Sequence, residues 1–333
     1  MLPRHVGNIP LLSKALDASV DYTQAFWTPP LSPRQAYRLE EKQITRRLRL
    51  PALVSLSDHD DLRAGSMLRV LPRFDKTPLS VEWTVPFGPT FFHVGVHNLP
   101  ESEASAVLTK LHSFTARPQL PALKDCLEEL DSFPQVLLVL NHPLWDEKQI
   151  GLAEHERILS SLLNFAGERL HALEVNGLRH FSENRRVMDL ASAMGKPVVS
   201  GGDRHGCEPN AILNLTEASI FEDFVDEVRS SARSHVVFMP QYKESVKWRT
   251  MQTVVDILRE YPGNVEGRRS WIERVYYRQS DGDRLPVSSI WPNGNGPKIF
   301  TAVSCAVRIA QWRGVRSAMK TVLSLGPSGE VAA

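Results

Sequence analysis

The 333-residue sequence predicts an α/β fold, with a barrel preferred to an open sheet. Short apolar runs alternate with longer segments of helical period, the pattern of parallel strands joined by crossover helices. Acidic and imidazole side chains recur where those runs stop, as they do when parallel barrel strands bring their C-terminal ends to one rim. Hydrophobic residues make up 42% of the chain, ample for a buried core, so whole-chain disorder is excluded.

The elements follow in order. Ser32-Pro33 pairs a capping side chain with proline at the first helical position, predicting a helix to about Arg49. Ala52 to Ser57 reads as a buried strand ending in the acidic turn Asp58-His59-Asp60-Asp61. Val81–Val85 and Thr90–Val96 read as two more strands joined by Pro86-Phe-Gly-Pro89. Helical spacing of Ala104, Val107, Leu108, Leu111 and Phe114 marks a helix over 101–114. Strands are expected at 135–140, 171–175, 196–200 and 235–239, with helices at 153–166, at 183–194 and around Phe221–Val228. Beyond about residue 240 the texture changes to a long helix (244–260), a Gly/Pro/Asn-rich stretch (286–297) and an amphipathic segment from Ile299 to about Leu325. The expected division is a barrel over 1–240 and a C-terminal helical extension over 241–333.

Net charge is +1, which argues against a nucleic-acid binder working through bulk charge. Three widely spaced cysteines, Cys126, Cys207 and Cys305, form neither a disulfide framework nor a zinc ribbon. No apolar run is long enough to cross a bilayer, and the first residues lack the order of a secretory signal. A reduced, cytoplasmic protein is the expectation. From Lys298 onward there are five basic residues and one acidic, Glu330. A basic amphipathic helix there, over 297–325, could contact an anionic membrane peripherally; the plainer reading packs its apolar side on the barrel.

The polar residues at strand ends are Asp58-His59, Glu82, His93 with His97, His142, Glu174 and Asp203-His205. His93 and His97 differ by an even number and share a strand face, as do Asp203 and His205. Imidazole and carboxylate together suit zinc, manganese and iron, and several strands supplying them to one rim read as a polynuclear metal centre. Glu174 reads equally well as a group orienting a ligand. His5, His112, His155, His171, His180 and His235 lack acidic partners at a strand end or sit on predicted helices, and are read as structural.

These motifs resemble those of the PHP (polymerase and histidinol phosphatase) superfamily. Ser55-Leu-Ser-Asp-His-Asp-Asp-Leu-Arg-Ala-Gly65 resembles its Thr-Asp-His-Asp…Gly motif, and Glu82 followed by His93-Val-Gly its glutamate and next-strand histidine. Asn141-His142-Pro143 is similar to its His-Pro motif. Leu173-Glu-Val-Asn176 and Gly195-Lys-Pro-Val-Val-Ser-Gly-Gly-Asp-Arg-His205 are similar to its closing motifs. The resemblance covers roughly residues 17–240. It implies a distorted (β/α)7 TIM-like barrel with two or three divalent metal ions (zinc, manganese or iron) at the C-terminal rim, hydrolysing a small phosphorylated substrate. Carried over, His59, Glu82, His93, His142, Asp203 and His205 are the implied ligands. Asp58, His59 and Arg204 are the candidate catalytic side chains, with Arg204 as a phosphate clamp. Arg179 follows another rim motif, with Arg185 and Arg186 read as a solvated helix face.

The sequence departs from the family at its opening. The stretch matching the first His-x-His, Asp17-Ala-Ser-Val-Asp-Tyr-Thr23, contains no histidine. Either Asp21 replaces part of that pair or one metal is missing or weakly held. The alternative function is a barrel with a degenerate site that binds a ligand or partner without turnover.

Overall fold

A computed structural model describes residues 26–264, 266–278, 284–291, 294, 296 and 298–324. Asp21 lies outside the described residues, as does part of the 286–297 stretch. The described chain divides into two compact units, one of 33–203 with 209–244, the other of 26–32, 204–208 and 245–324.

The smaller unit includes the first described strand, β1 (Phe26–Trp27). The larger one begins with α1 (Pro33–Gln43), followed by β2 (Ser57–His59), α2 (Arg63–Arg69), β3 (Ser80–Phe87) and β4 (Thr90–His97). Two helices come next, α3 (Glu101–Ala116) and α4 (Leu120–Ser132), then β5 (Leu137–Asn141) and α5 (Leu152–Ala166). The unit continues through β6 (Ala172–Asn176), α6 (Phe181–Ala193), β7 (Val198–Gly201), β8 (Ile212–Leu215), α7 (Phe221–Arg229) and β9 (His235–Phe238). Strands β2 to β7 form one curled six-stranded sheet in sequence order, half of a barrel, while β8 and β9 pair with each other.

The expected all-parallel sheet is corrected at one strand. β4 is antiparallel to both β3 and β5, and the remaining pairs in the six-stranded sheet are parallel. The cause is local: only Gly88 and Pro89 separate β3 from β4, with Gly88 at φ +61, and a parallel pair needs a crossover of a dozen or more residues. Two successive helices then return the chain to the edge where β4 ends, His97 facing Leu137, so β5 resumes the direction of β3. The second of these, α4, went unpredicted, as did β8. The run 52–56 is not strand; pairing begins at Ser57.

The core follows from the apolar patterning. β5 is buried along its whole length, as a strand covered on both faces must be. Trp83 of β3 is fully buried, packs edge-on against Phe114 of α3 at 5.3 Å and donates from Nε1 to Thr115 Oγ1 at 3.1 Å. Helix α5 buries Ile158, Leu159, Leu162 and Ala166 along one stripe, the expected face.

His171 shows how a polar side chain is built into this layer. Its Nδ1 accepts the Leu138 N–H at 2.8 Å, and its Nε2–H donates to Asp131 at 2.9 Å. Both nitrogens are therefore used in the neutral form, and burial pushes the imidazole down to about 4, against the opposing pull of Asp131. Between pH 6.5 and 4 the unfolded chain takes up a proton that the folded one does not, so stability falls as pH drops through that window. At 9% side-chain exposure the loss from this group is about 3 kcal/mol at its low end. His171→Asn, whose Oδ1 can still accept from Leu138, should flatten denaturant-measured stability between pH 6.5 and 4 relative to wild type. An unchanged pH profile would show that His171 carries none of the dependence.

In the smaller unit, α8 (Val246–Leu258) is capped by Ser245, which accepts the Trp248 N–H at 3.2 Å. β1 pairs with β10 (Val275–Arg278), and β10 with β11 (Arg284–Pro286), both antiparallel. The amphipathic C-terminal segment is two helices, α9 (Lys298–Ala310) and α10 (Arg313–Ser324), broken at Gln311-Trp312. The fully buried Arg274 donates to the carbonyls of Ile257, Arg259, Arg268 and Arg269, fastening the end of α8 to the chain that follows it. No helix among the described residues is long and apolar enough to cross a membrane.

Candidate metal centre

Register places the polar residues. His59 of β2 lies beside Glu82 of β3, Glu82 is opposite Gly95 of β4, and His93 of β4 is opposite Asn141 of β5. Because opposed residues share a face and faces alternate every second residue, all of these point to the same side of the sheet. The reversal of β4 brings the first half of that strand, with His93, level with the C-terminal end of β5. His93 thus reaches the site from an early strand position, not from a strand end.

At the centre is the Glu82 carboxylate, 8% exposed. One oxygen, Oε2, lies 3.6 Å from His59 Nδ1. The other, Oε1, lies 3.3 Å from His142 Nε2 and 3.6 Å from His93 Nδ1, and accepts from Asn141 Nδ2 at 3.0 Å. The His93 and His142 nitrogens are 3.2 Å apart. Ligand atoms of His59, Glu82 and His93 all fall within 4.8 Å of one another, the spacing of a metal-binding group.

Electrostatics follow from that crowding. Burial raises the Glu82 carboxyl, but His59, His142 and His93 together hold it well below the ordinary carboxylate range. Burial pushes His93 down to about 3, so it stands as a neutral imidazole. For His142 burial is outweighed by the Glu82 hydrogen bond and by Asp203 and Glu174, which lift it to about 9.

Glu174 of β6 sits behind His142. Its Oε2 accepts the His142 backbone N–H at 2.8 Å and Asn176 Nδ2 at 3.1 Å, and burial pushes its carboxyl up to about 7. His142 has φ +29, a conformation that L residues adopt only when held there. Two glycines make room for this row. A Cβ on Gly201 would fall 1.3 Å from Glu174 Oε1, and one on Gly95 would fall 2.8 Å from His97 Nε2 and 2.9 Å from Asn141 Oδ1.

The remaining candidates are placed as follows. Asp203, at φ +43, accepts from Arg179 Nη2 at 3.0 Å and acts electrostatically on His142 and His93. Arg179 stacks 4.0 Å over the Trp145 ring and is buried, whereas Arg185 and Arg186 are exposed. Asp58, one residue before His59, faces the other side of β2; burial and Asp61 raise its carboxyl, which accepts the Ala64 N–H. The neighbouring Asp60 carboxylate is a strand clamp, accepting the N–H and hydroxyl of Thr84 at 2.8 and 2.7 Å. His97 stands four residues along β4 from His93, hydrogen-bonded to Ser55 Oγ at 2.9 Å. Arg204 and His205 belong to the smaller unit, where Arg204 Nε donates to the Glu208 carbonyl at 3.2 Å and His205 meets Trp27 edge-on at 6.2 Å. His112 and His155 are tied to the carbonyls of Asp60 and Pro143.

One acidic residue near the centre was not read from sequence. Glu147, in the loop after β5, has Oε2 3.9 Å from His93 Nδ1. Its proximity to the Asn-His-Pro motif was the available signal; the turn that aims it was not.

No family model matches the sequence, and no curated protein matches it either. Among solved structures, a protein of Bifidobacterium adolescentis described as a metal-dependent phosphoesterase is 14% identical, with 61% of this chain and 91% of that one covered and a TM-score of 0.36. An amidohydrolase from Chromobacterium violaceum, solved with bound sulfate and no metal, is 14% identical, covering 67% of this chain and 90% of that one at a TM-score of 0.39. Likeness this distant carries no conclusion about chemistry.

Proposed function

We propose that the chain is a metal-dependent hydrolase acting on a small phosphate ester, the reading that its motif resemblance to the PHP superfamily implies. The observation that carries it is the Glu82 carboxylate, buried and faced by His59 on one oxygen and by His93 and His142 on the other. The donor set fits a divalent cation: imidazole and carboxylate together suit zinc, manganese or iron. Glu82, His93 and His142 would hold the metal, with His59 facing the carboxylate's other oxygen and Asp203 acting electrostatically on His93 and His142. A cation bound there supplies Lewis acidity, offsetting charge on phosphoryl oxygens and making water more acidic.

The chain's own residues do the rest. Glu174 and Asn141 orient His142 and Glu82, the outer hydrogen bonds that fix a ligand's direction. Arg179, held on Trp145 and Asp203, sets a guanidinium near the same rim, where it can bind an anionic substrate oxygen.

Protein purified without added metal should contain at least one divalent ion per chain by elemental analysis. Hydrolysis of a generic aryl phosphate should vanish on chelation and return on adding metal. A second reading, a barrel that binds without turnover, is favoured by the absence of histidine from residues 17–23. Stoichiometric metal with no hydrolysis across a broad phosphoester panel would select it.

A further inference from the structure

We propose that Glu147 is a carboxylate donor to the cation held by Glu82, His93 and His142, so that the loop after β5 closes one side of the metal site. The inference rests on the metal-centre reading above and adds a ligand to it. His93 Nδ1 is the common point: His142 Nε2 lies 3.2 Å from it, Glu82 Oε1 3.6 Å and Glu147 Oε2 3.9 Å, with His142 Nε2 and Glu82 Oε1 3.3 Å apart. Donors placed tetrahedrally around an ion at zinc-like ligand distances stand about 3.4 Å from one another. The Glu147 separation is too long for a hydrogen bond to His93, yet it is close to what two ligands of one ion require.

The loop is built to hold that carboxylate in place. Asp146 accepts the Ile150 and Gly151 N–H groups at 3.1 and 2.8 Å, and the Trp145 N–H donates to the His142 carbonyl at 2.9 Å. On either side of Glu147 the loop is pinned by aromatic contacts: Arg179 lies on Trp145, and Lys148 lies 5.0 Å over the ring of Phe91, two residues before His93. Glu147 keeps 25% side-chain exposure, so its side of the site is the one open to solvent and substrate while the other three donors are buried. In a chain without histidine between residues 17 and 23, this carboxylate adds a donor from a different part of the sequence.

The test is Co(II) titration of the metal-stripped full chain, followed by visible absorption, which reports coordination number independently of turnover. Wild type should bind Co(II) with the intense bands of a four-coordinate site. Glu147→Gln should weaken Co(II) binding by at least about tenfold and lower band intensity. Its thermal unfolding without metal should be unchanged, because glutamine keeps the shape of this half-buried side chain and leaves the loop's backbone and Asp146 hydrogen bonds intact. Equal affinity and an identical spectrum in Glu147→Gln, with binding lost in Glu82→Gln, would overturn the assignment of Glu147 and leave the centre standing. If wild type binds Co(II) no better than Glu82→Gln, the metal centre itself fails, and this proposal with it.

Discussion

Glu82→Gln should lose stoichiometric metal and lower kcat/KM for an aryl phosphate by at least about a hundredfold, the scale of removing one preorganised electrostatic contact in a water-poor site. The substitution keeps the shape but exchanges one oxygen for an NH2 group. That group would point at either His59 Nδ1, 3.6 Å from one oxygen, or His142 Nε2, 3.3 Å from the other. It also removes the one negative charge that faces all three imidazoles. Elemental analysis beside an assay separates the effects, and His235→Ala, at an exposed histidine remote in sequence from the motifs, should change neither. Full metal content and undiminished hydrolysis in Glu82→Gln would remove the proposed centre.

The second large effect is structural. Gly201→Ala should destabilise the fold by about 2–4 kcal/mol and displace His142. The new methyl would overlap Glu174 Oε1, and Glu174 cannot turn away without abandoning the His142 N–H and Asn176 Nδ2 that its other oxygen accepts. His142, at φ +29, depends on that acceptor to stay where its ring meets Glu82. A double-mutant cycle in denaturant makes the argument specific. In a Glu174→Ala background the same Gly201→Ala change should cost well under half as much, because the clash is gone. Equal costs in both backgrounds would mean that Gly201 serves some other purpose.

Much of the architecture was legible because period and punctuation are local. The stripe of Ile158, Leu159 and Leu162 marked α5, and the apolar run before Asn141-His142-Pro143 marked β5. The strand direction of β4 was misread although its cause was in view: a linker as short as Gly88-Pro89 forces a hairpin. α4 was missed although Leu123, Cys126, Leu127 and Leu130 lie at helical spacing after a proline at the helix start, and β8 because it is only four residues long. The run 52–56 was apolar enough for a strand but has no neighbour to pair with until Ser57.

The site divides along the same line. Which residue types could hold a cation was evident from His59, Glu82, His93 and His142, and the structure gathers these four. Glu147 and the part played by Arg179 depend on loop geometry, and the placement of His205 with Trp27 depends on contacts between distant segments.

The sequence by itself determined the alternation of strands and helices, the apolar faces they bury, and the donor chemistry available at their ends. Only the tertiary structure decided how strands pair in register, which oxygen of Glu82 meets which imidazole, and which loop carboxylate comes within reach. Periodicity arises from neighbours a few residues apart, whereas a ligand sphere is a relation of a few ångströms between atoms whose positions are set by pairing across the sheet.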